Sequence, residues 1–370
     1  MKELRRKIEE VIRERGAPIP FSTYMEMCLY DSEFGYYNRN ASQFGKAGDF
    51  YTSSDVHAVF GRLLARQFEE MWRVMGSPEL FLIHELGTGR GLFARDVLDW
   101  SEKKFPDFFR ALHFYTQESS PALAQHTEQT MKRHFDSGKA SSLSVEDKLY
   151  KMNVVFANEF FDALPVRIVS NRGSLHIDVR DGRFVEVWLA ASDEELEFLD
   201  RYSVHPEEGE RIEVPFPFLS GLAFSLYQGF VIIIDYGYTR EEQLAGRHRG
   251  TLKAIRQHSV SANPYEAPGE QDITADVNFT ALAALAEQNG FHAQKLITQS
   301  QFLMGIGEAN QFADAFEDCR LPQERAKVAL QLKHLVTPAG MGESFHVLIA
   351  SKGVDVMKAS GLAGLSFGRR

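Results

Sequence analysis

Phe81-Leu82-Ile83-His84-Glu85-Leu86-Gly87-Thr88-Gly89-Arg90-Gly91 is the stretch that decides the fold class. Phe81 to His84 is a short apolar run of strand length, and three glycines then fall within five residues. Leu92 to Trp100 follows with Leu92, Phe93, Val97 and Leu98 at helical spacing. Strand, glycine loop and helix form one βα unit. Outward from it the pattern repeats. Leu112 to Thr116 reads as a second strand ending at Glu118, and Pro121 opens the next helix. Asn153 to Ala157 is a third strand, ending at Asn158-Glu159. Phe230 to Ile234 is a fully apolar fourth, ending at Asp235-Tyr236-Gly237. A helix around Phe279 to Gln288 stops at Gly290, and strands near 291–298 and 344–351 close the series. Alternating strands and helices predict an α/β fold with a mostly parallel sheet.

Two segments depart from that alternation. Residues 164–228 hold Arg167-Ile168-Val169, Leu175 to Val179 and Phe184 to Trp188, with turns at Asn171-Arg172-Gly173 and Asp181-Gly182, an antiparallel meander. Before the core, residues 2–15 form an amphipathic helix, and 18–60 are rich in aromatics and glycine, read either as a subdomain packed by aromatics or as a lid over a ligand. The expected division is therefore an N-terminal helical and lid segment (1–75) and a ligand-binding core (76–163 and 229–352). The core is joined by a β-meander subdomain (164–228) and a C-terminal tail (353–370).

The composition excludes several classes. A formal charge of −10 over 370 residues argues against a general nucleic-acid binder, which needs a basic face to neutralise phosphates. It suits a positively charged partner better. Two cysteines, Cys28 and Cys319, are too few for a disulfide framework or a cysteine zinc site, and no metal site is expected. The first residues are charged throughout rather than apolar, and no run is long enough to span a membrane. These features predict a cytoplasmic protein.

Ligands of open parallel sheets bind beyond the carboxyl ends of the strands, where the strand order reverses. A dinucleotide site wants Gly-x-Gly-x-x-Gly with pyrophosphate on the helix N-terminus. Here the spacing is Gly-x-Gly-x-Gly, with Glu85 two residues earlier. A carboxylate there is awkward beside pyrophosphate but suits the ammonium and sulfonium of S-adenosylmethionine (SAM). Glu118 can accept both hydroxyls of a ribose, although it could instead cap the helix opened by Pro121. Asn158-Glu159-Phe160-Phe161-Asp162-Ala163-Leu164-Pro165 would then follow the strand beside the glycine loop. Glu159 and Asp162 are candidate catalytic carboxylates, able to orient a cationic acceptor such as guanidinium. His258 is a candidate proton acceptor. Asp272 to Phe279 reads as a helix N-cap with a first-turn acid.

These blocks, in this order, resemble the MidA-type SAM-dependent methyltransferases. The resemblance is carried by Pro20-Phe21 with Tyr24-Met25, Gly35-Tyr36-Tyr37, Gly48-Asp49-Phe50-Tyr51-Thr52-Ser53, the glycine loop, and Glu118 with Ser120-Pro121. Asn158 to Val166, Asp235-Tyr236-Gly237, Gly250-Thr251-Leu252, Asp272-Ile273-Thr274 and Met341-Gly342-Glu343 complete it. It implies a class I, Rossmann-like fold with a seven-stranded, mostly parallel sheet and an inserted β-rich subdomain. It implies SAM as cofactor, held by Gly48, Asp49, Phe50, Thr52, Glu85, Gly87, Thr88, Gly89, Gly91, Glu118, Ser119 and Asn158. For the mitochondrial branch of the family it also implies methylation of arginine in a protein substrate, and the expected partners are a subunit of a larger complex and, in a homodimer, a second copy of the chain. The chain departs from the family pattern at Thr88, at Ser54-Asp55, at Thr116-Gln117 and in the turn after Gly250. A SAM-binding assembly chaperone, a small-molecule methyltransferase and a dinucleotide oxidoreductase are the alternatives.

Overall fold

The computed structural model describes residues 2–39, 58–144, 151–215, 226–243, 248–256, 259–261 and 263–367. The chain divides into two compact units. One comprises 1–50, 161–220 and 237–282; the other comprises 51–160, 221–236 and 283–370. These packing boundaries differ from the sequence division in placing 237–282 with the meander and the N-terminal segment.

The second unit holds the α/β sheet. Its strands run in the order 292–293, 345–352, 229–238, 154–158, 81–86, 112–117 and 140–143. The five strands from 229–238 to 140–143 are parallel to their neighbours, while 345–352 lies antiparallel to 229–238. The sheet is thus mixed, and with the two-residue strands 277–278 and 297–298 it numbers nine strands among the described residues. Seven of the nine lie on the main path and two pair off it. The additions are too short to leave a periodic signal. Phe230 to Ile234 are fully buried, as a run apolar on both faces requires of a central strand. Truncating Ile232 to alanine would cost about 2–5 kcal/mol.

Topology places the site. From 81–86 the chain builds outward through 112–117 to 140–143. It then returns to the other side of 81–86 at strand 154–158. The order reverses between these two strands, so the crevice lies beyond Leu86 and Asn158.

The first unit is built from antiparallel strands. Strands 19–20, 173–180, 166–170 and 212–215 are neighbours in that order, and 183–189 pairs with 173–180. Asp181 and Gly182 both have positive φ, 50° and 67°, the conformation of a two-residue hairpin turn that matches strand twist. Helix Lys2–Arg15 buries Leu4, Ile8 and Ile12 in a core shared with Phe21, Tyr24, Ile168 and Ile177. The sequence reading of 272–279 needs correction. Asp272–Thr274 is a strand, and the helix Phe279–Gln288 is capped by Asn278, whose Oδ1 accepts the Ala281 N–H at 3.0 Å.

Candidate functional site

The loop after strand 81–86 bends through Gly87, Gly89 and Gly91, with φ of 64°, 61° and 74°. Such backbone favours glycine. At Gly87 there is a second reason, because a Cβ would lie 2.7 Å from the Phe160 ring. At Gly89 a Cβ would meet no atom of the described residues within 4 Å. Gly91 is the N-cap of helix Leu92–Lys104.

Side chains fix the loop from beneath. Thr88 N–H donates to the Gln117 carbonyl at 3.1 Å, and Thr88 Oγ1 accepts the Gln117 N–H at 3.1 Å. Thr88, expected among the cofactor residues, therefore clips the loop to strand 112–117. Thr127 Oγ1 donates to the Gly89 carbonyl at 2.8 Å. Thr127 went unread in the sequence, since a threonine inside a helix carries no local signal.

The two glutamates stand differently. Glu118 Oε2 accepts the Gly89 N–H at 2.8 Å and Oε1 accepts the Ser120 N–H at 2.9 Å. The helix cap itself is Ser120, whose Oγ accepts from Leu123 N–H. Glu118 thus ties the glycine loop to the next βα turn, and a carboxylate so engaged retains lone pairs for hydroxyl donors. Burial raises its pKa, and the backbone N–H donors, Ser119 included, oppose the shift. Glu85 is buried, at 5% exposure, and its Oε2 has no hydrogen-bond partner among the described residues. Burial, then the Glu118 charge, hold its carboxyl well above the usual range. An unpartnered buried carboxyl beside a glycine bend is suited to a cationic ligand.

Beyond strand 154–158, Asn158 Nδ2 donates to Glu159 Oε1 at 3.0 Å, and Asn158 Oδ1 is buried without a partner. Glu159 adopts φ 51°, a left-handed conformation that costs a non-glycine residue about 1 kcal/mol or more. Its N–H donates to the Ile234 carbonyl at 2.9 Å, and Phe160 N–H donates to Asp235 Oδ2 at 3.2 Å. Asp235 is fully buried. The structure therefore brings Glu85, Gly87, Gly89, Gly91, Glu118, Asn158 and Glu159 to one sheet edge.

Asp162 belongs to the other unit, buried at 2% exposure, with its carbonyl accepting Ala275 N–H at 2.9 Å. Burial and the charge of Asp272, then Tyr30 and Asp162, push the Tyr37 hydroxyl well above its usual range, and Tyr37 donates to Asp272 Oδ1 at 2.8 Å. Gly48, Asp49, Phe50, Thr52 and His258 lie outside the described residues. Among the described residues, no group of three or more His, Cys, Asp or Glu is arranged to hold a metal ion.

Comparison with known proteins now bears on this geometry. Residues 63–297 match the model of a family described as "Putative S-adenosyl-L-methionine-dependent methyltransferase". The chain belongs to that family. A crystal structure of a superfamily member from Burkholderia thailandensis, bound to S-adenosyl-homocysteine, aligns with a TM-score of 0.83 at 26% identity. The alignment covers 96% of this chain and 93% of that one. The methyltransferase is 31% identical to "Protein arginine methyltransferase NDUFAF7 homolog, mitochondrial" of Drosophila melanogaster, over 95% of this chain and 85% of the relative. The Homo sapiens counterpart, also named mitochondrial, is 27% identical over 89% of this chain and 79% of its own length.

SAM is thus the cofactor, and the residues fit it: Glu85 offers an unpartnered buried carboxyl, and the glycines offer close backbone approach. The expectation of a cytoplasmic protein is overturned by the mitochondrial relatives. No helix among the described residues is long and apolar enough to cross a membrane.

Proposed function

We propose that this methyltransferase modifies arginine side chains of a protein substrate, a subunit of a larger complex. One observation carries the reading. A strained glutamate, Glu159, stands at the end of the strand paired with the glycine-loop strand, with its amide and carboxylate both held. Strain of this kind persists where the surroundings over-determine it, and it clusters at reacting centres. The names of the Drosophila and human relatives support arginine as acceptor.

In this reading Glu85 faces the cationic end of SAM, Glu118 accepts from its ribose, and Gly87, Gly89 and Gly91 let the backbone approach it. SAM supplies a methyl carbon on a positively charged sulfur. Glu159 orients the guanidinium so that a nitrogen lone pair points along the carbon–sulfur bond, and Asp162 is retained as a candidate second carboxylate. Carboxylates also favour the cation formed as the nitrogen gains its methyl group, and they accept the proton it then loses. Gly48, Asp49, Phe50, Thr52, Thr88, Ser119 and Asn158 complete the proposed cofactor pocket, and His258 is retained as a candidate proton acceptor.

We read residues 76–163 and 229–352 as the catalytic core, flanked by the 1–75 lid segment and the 353–370 tail. Residues 164–228 are then an insertion into a seven-stranded class I frame. What supports the insertion is that strands 154–158 and 229–238, which flank it in sequence, pair directly through Phe230 and Val154. The test is labelled SAM added to native lysate with the enzyme, followed by mass spectrometry of the labelled species. Methyl groups on protein arginine are expected. Methyl groups found only on lysine or on small molecules would overturn the reading.

A further inference from the structure

Within the second unit, a buried polar side chain stands one residue before each of the two glutamates: His84 before Glu85, and Gln117 before Glu118. Both are 6% exposed. His84 Nε2 lies 3.1 Å from Gln117 Oε1, and Gln117 Nε2 donates to the Ser144 carbonyl at 3.0 Å. With the amide nitrogen turned to Ser144, the Gln117 oxygen faces His84, and the imidazole carries its proton on Nε2 to donate. Burial pushes the His84 pKa down to about 4, so the ring is neutral near pH 7. The chain His84–Gln117–Ser144 thus runs across the carboxyl ends of the neighbouring parallel strands 81–86, 112–117 and 140–143.

The register of these strands gives the chain its consequence. Successive side chains of a strand point to opposite faces. Leu86 pairs with Gln117 and His84 with Tyr115, so His84 and Gln117 share one face of the sheet while Glu85 and Thr116 take the other. On that other side, the charge of Glu118 reaches Glu85, and like charges push apart. The strand end that carries Glu118 therefore needs anchoring. Part of the anchor is the Gln117 backbone, whose N–H and carbonyl both bond Thr88. The rest is the Gln117 side chain, gripped at one end by His84 and at the other by Ser144. Folding alone does not call for this pair. Two apolar side chains would fill the same space without the cost of burying polar groups.

We propose that the His84–Gln117–Ser144 chain is a positioning device for the cofactor: it locks the end of strand 112–117 and so sets where Glu118 meets the ribose. His84 and Gln117 are positioning residues that act through Glu118 rather than by contact with SAM. The assignment rests on the reading of Glu118 given above.

Calorimetry with S-adenosyl-homocysteine and with adenosine on the full chain tests this, with denaturant unfolding of each variant as the second readout. His84→Met keeps the reach of the side chain and removes the donor. It should weaken both ligands by about fivefold, the worth of one hydrogen bond, because the effect falls on the nucleoside half. His84→Gln returns an N–H at similar reach and should restore affinity to within about twofold of wild type. The double variant His84→Met with Gln117→Met separates positioning from the mere pairing of buried groups. It leaves neither buried partner orphaned, and Ser144 is exposed to water, so stability should recover while affinity stays about fivefold down. Wild-type affinity in His84→Met, or affinity that recovers along with stability in the double variant, would overturn the proposal. Glu118→Gln, measured alongside, separates the two claims. A loss of affinity there with none in His84→Met removes the positioning device alone, whereas unchanged affinity in Glu118→Gln removes the reading beneath it.

Discussion

The glycine loop and the Asn158–Phe160 bend occupy equivalent places, each at the carboxyl end of one of two paired parallel strands, yet they reach their shapes differently. The loop turns through glycines at positive φ, where no side chain is strained. The bend turns through Glu159, which keeps its side chain at the cost of a left-handed backbone. The first arrangement gives a ligand close access to backbone. The second fixes a carboxylate in one place, with Asn158 holding one oxygen and the Ile234 carbonyl holding the amide. On the proposed reading, one bend serves approach and the other presents a charged group, the division that cofactor holding and acceptor chemistry require.

The sharpest way to break that contrast is to put a side chain into the loop. Gly89→Val introduces a β-branched residue at φ 61° into space that no described residue occupies. SAM affinity measured by calorimetry should fall by about a hundredfold or more, equivalent to about 2.7 kcal/mol. Unchanged affinity would remove the loop from the site. Thr88→Val strips the acceptor from the Gln117 N–H and should cost about 1–3 kcal/mol in denaturant unfolding, because a buried donor is left unpaired. No loss would mean that the clip is redundant.

Glu85→Gln tests charge rather than shape. Burial and Glu118 raise the Glu85 carboxyl pKa in the free protein, and a bound cation lowers it. With Glu85 facing the SAM cation as proposed, binding of SAM releases a proton. Affinity should rise with pH up to the raised free-protein pKa and level off above it. In Glu85→Gln the affinity should drop about tenfold, roughly 1.4 kcal/mol, and this pH dependence should vanish. A pH dependence that survives the substitution would assign it to another group. The smallest effect concerns the bend. Glu159→Gly relieves the left-handed strain and should raise stability by up to about 1 kcal/mol. A loss of stability would show that the Glu159 side-chain contacts outweigh the strain.

The sheet was legible because its strands are apolar runs that end in glycine or acidic residues, and because helix Leu92–Lys104 keeps its apolar period. The meander was legible from alternation and from Asp181-Gly182. Strand 140–143, Ala-Ser-Ser-Leu, was not, because an edge strand needs no apolar run. The helix Pro322–Val336 also escaped the sequence reading, since its buried residues are Val328 and Leu335 alone and leave little period to detect. In the site, Glu85 and Glu159 could be placed by strand ends, but their states could not. Nothing in the sequence shows that Glu118 is already tied to two amides or that Glu85 is left with a free oxygen. Those facts depend on how the Gly89 and Ser120 amides point, which only the folded loop sets.

The account turns on separating cofactor holding from acceptor chemistry, and Glu159→Ala measures that separation directly. SAM affinity and the rate of methyl transfer from labelled SAM should be determined on the same preparation. The account predicts affinity within about twofold of wild type and transfer reduced about a hundredfold or more, the size expected for a positioned proton acceptor. Full transfer activity in Glu159→Ala, or a loss of SAM binding that matches the loss of transfer, would contradict it.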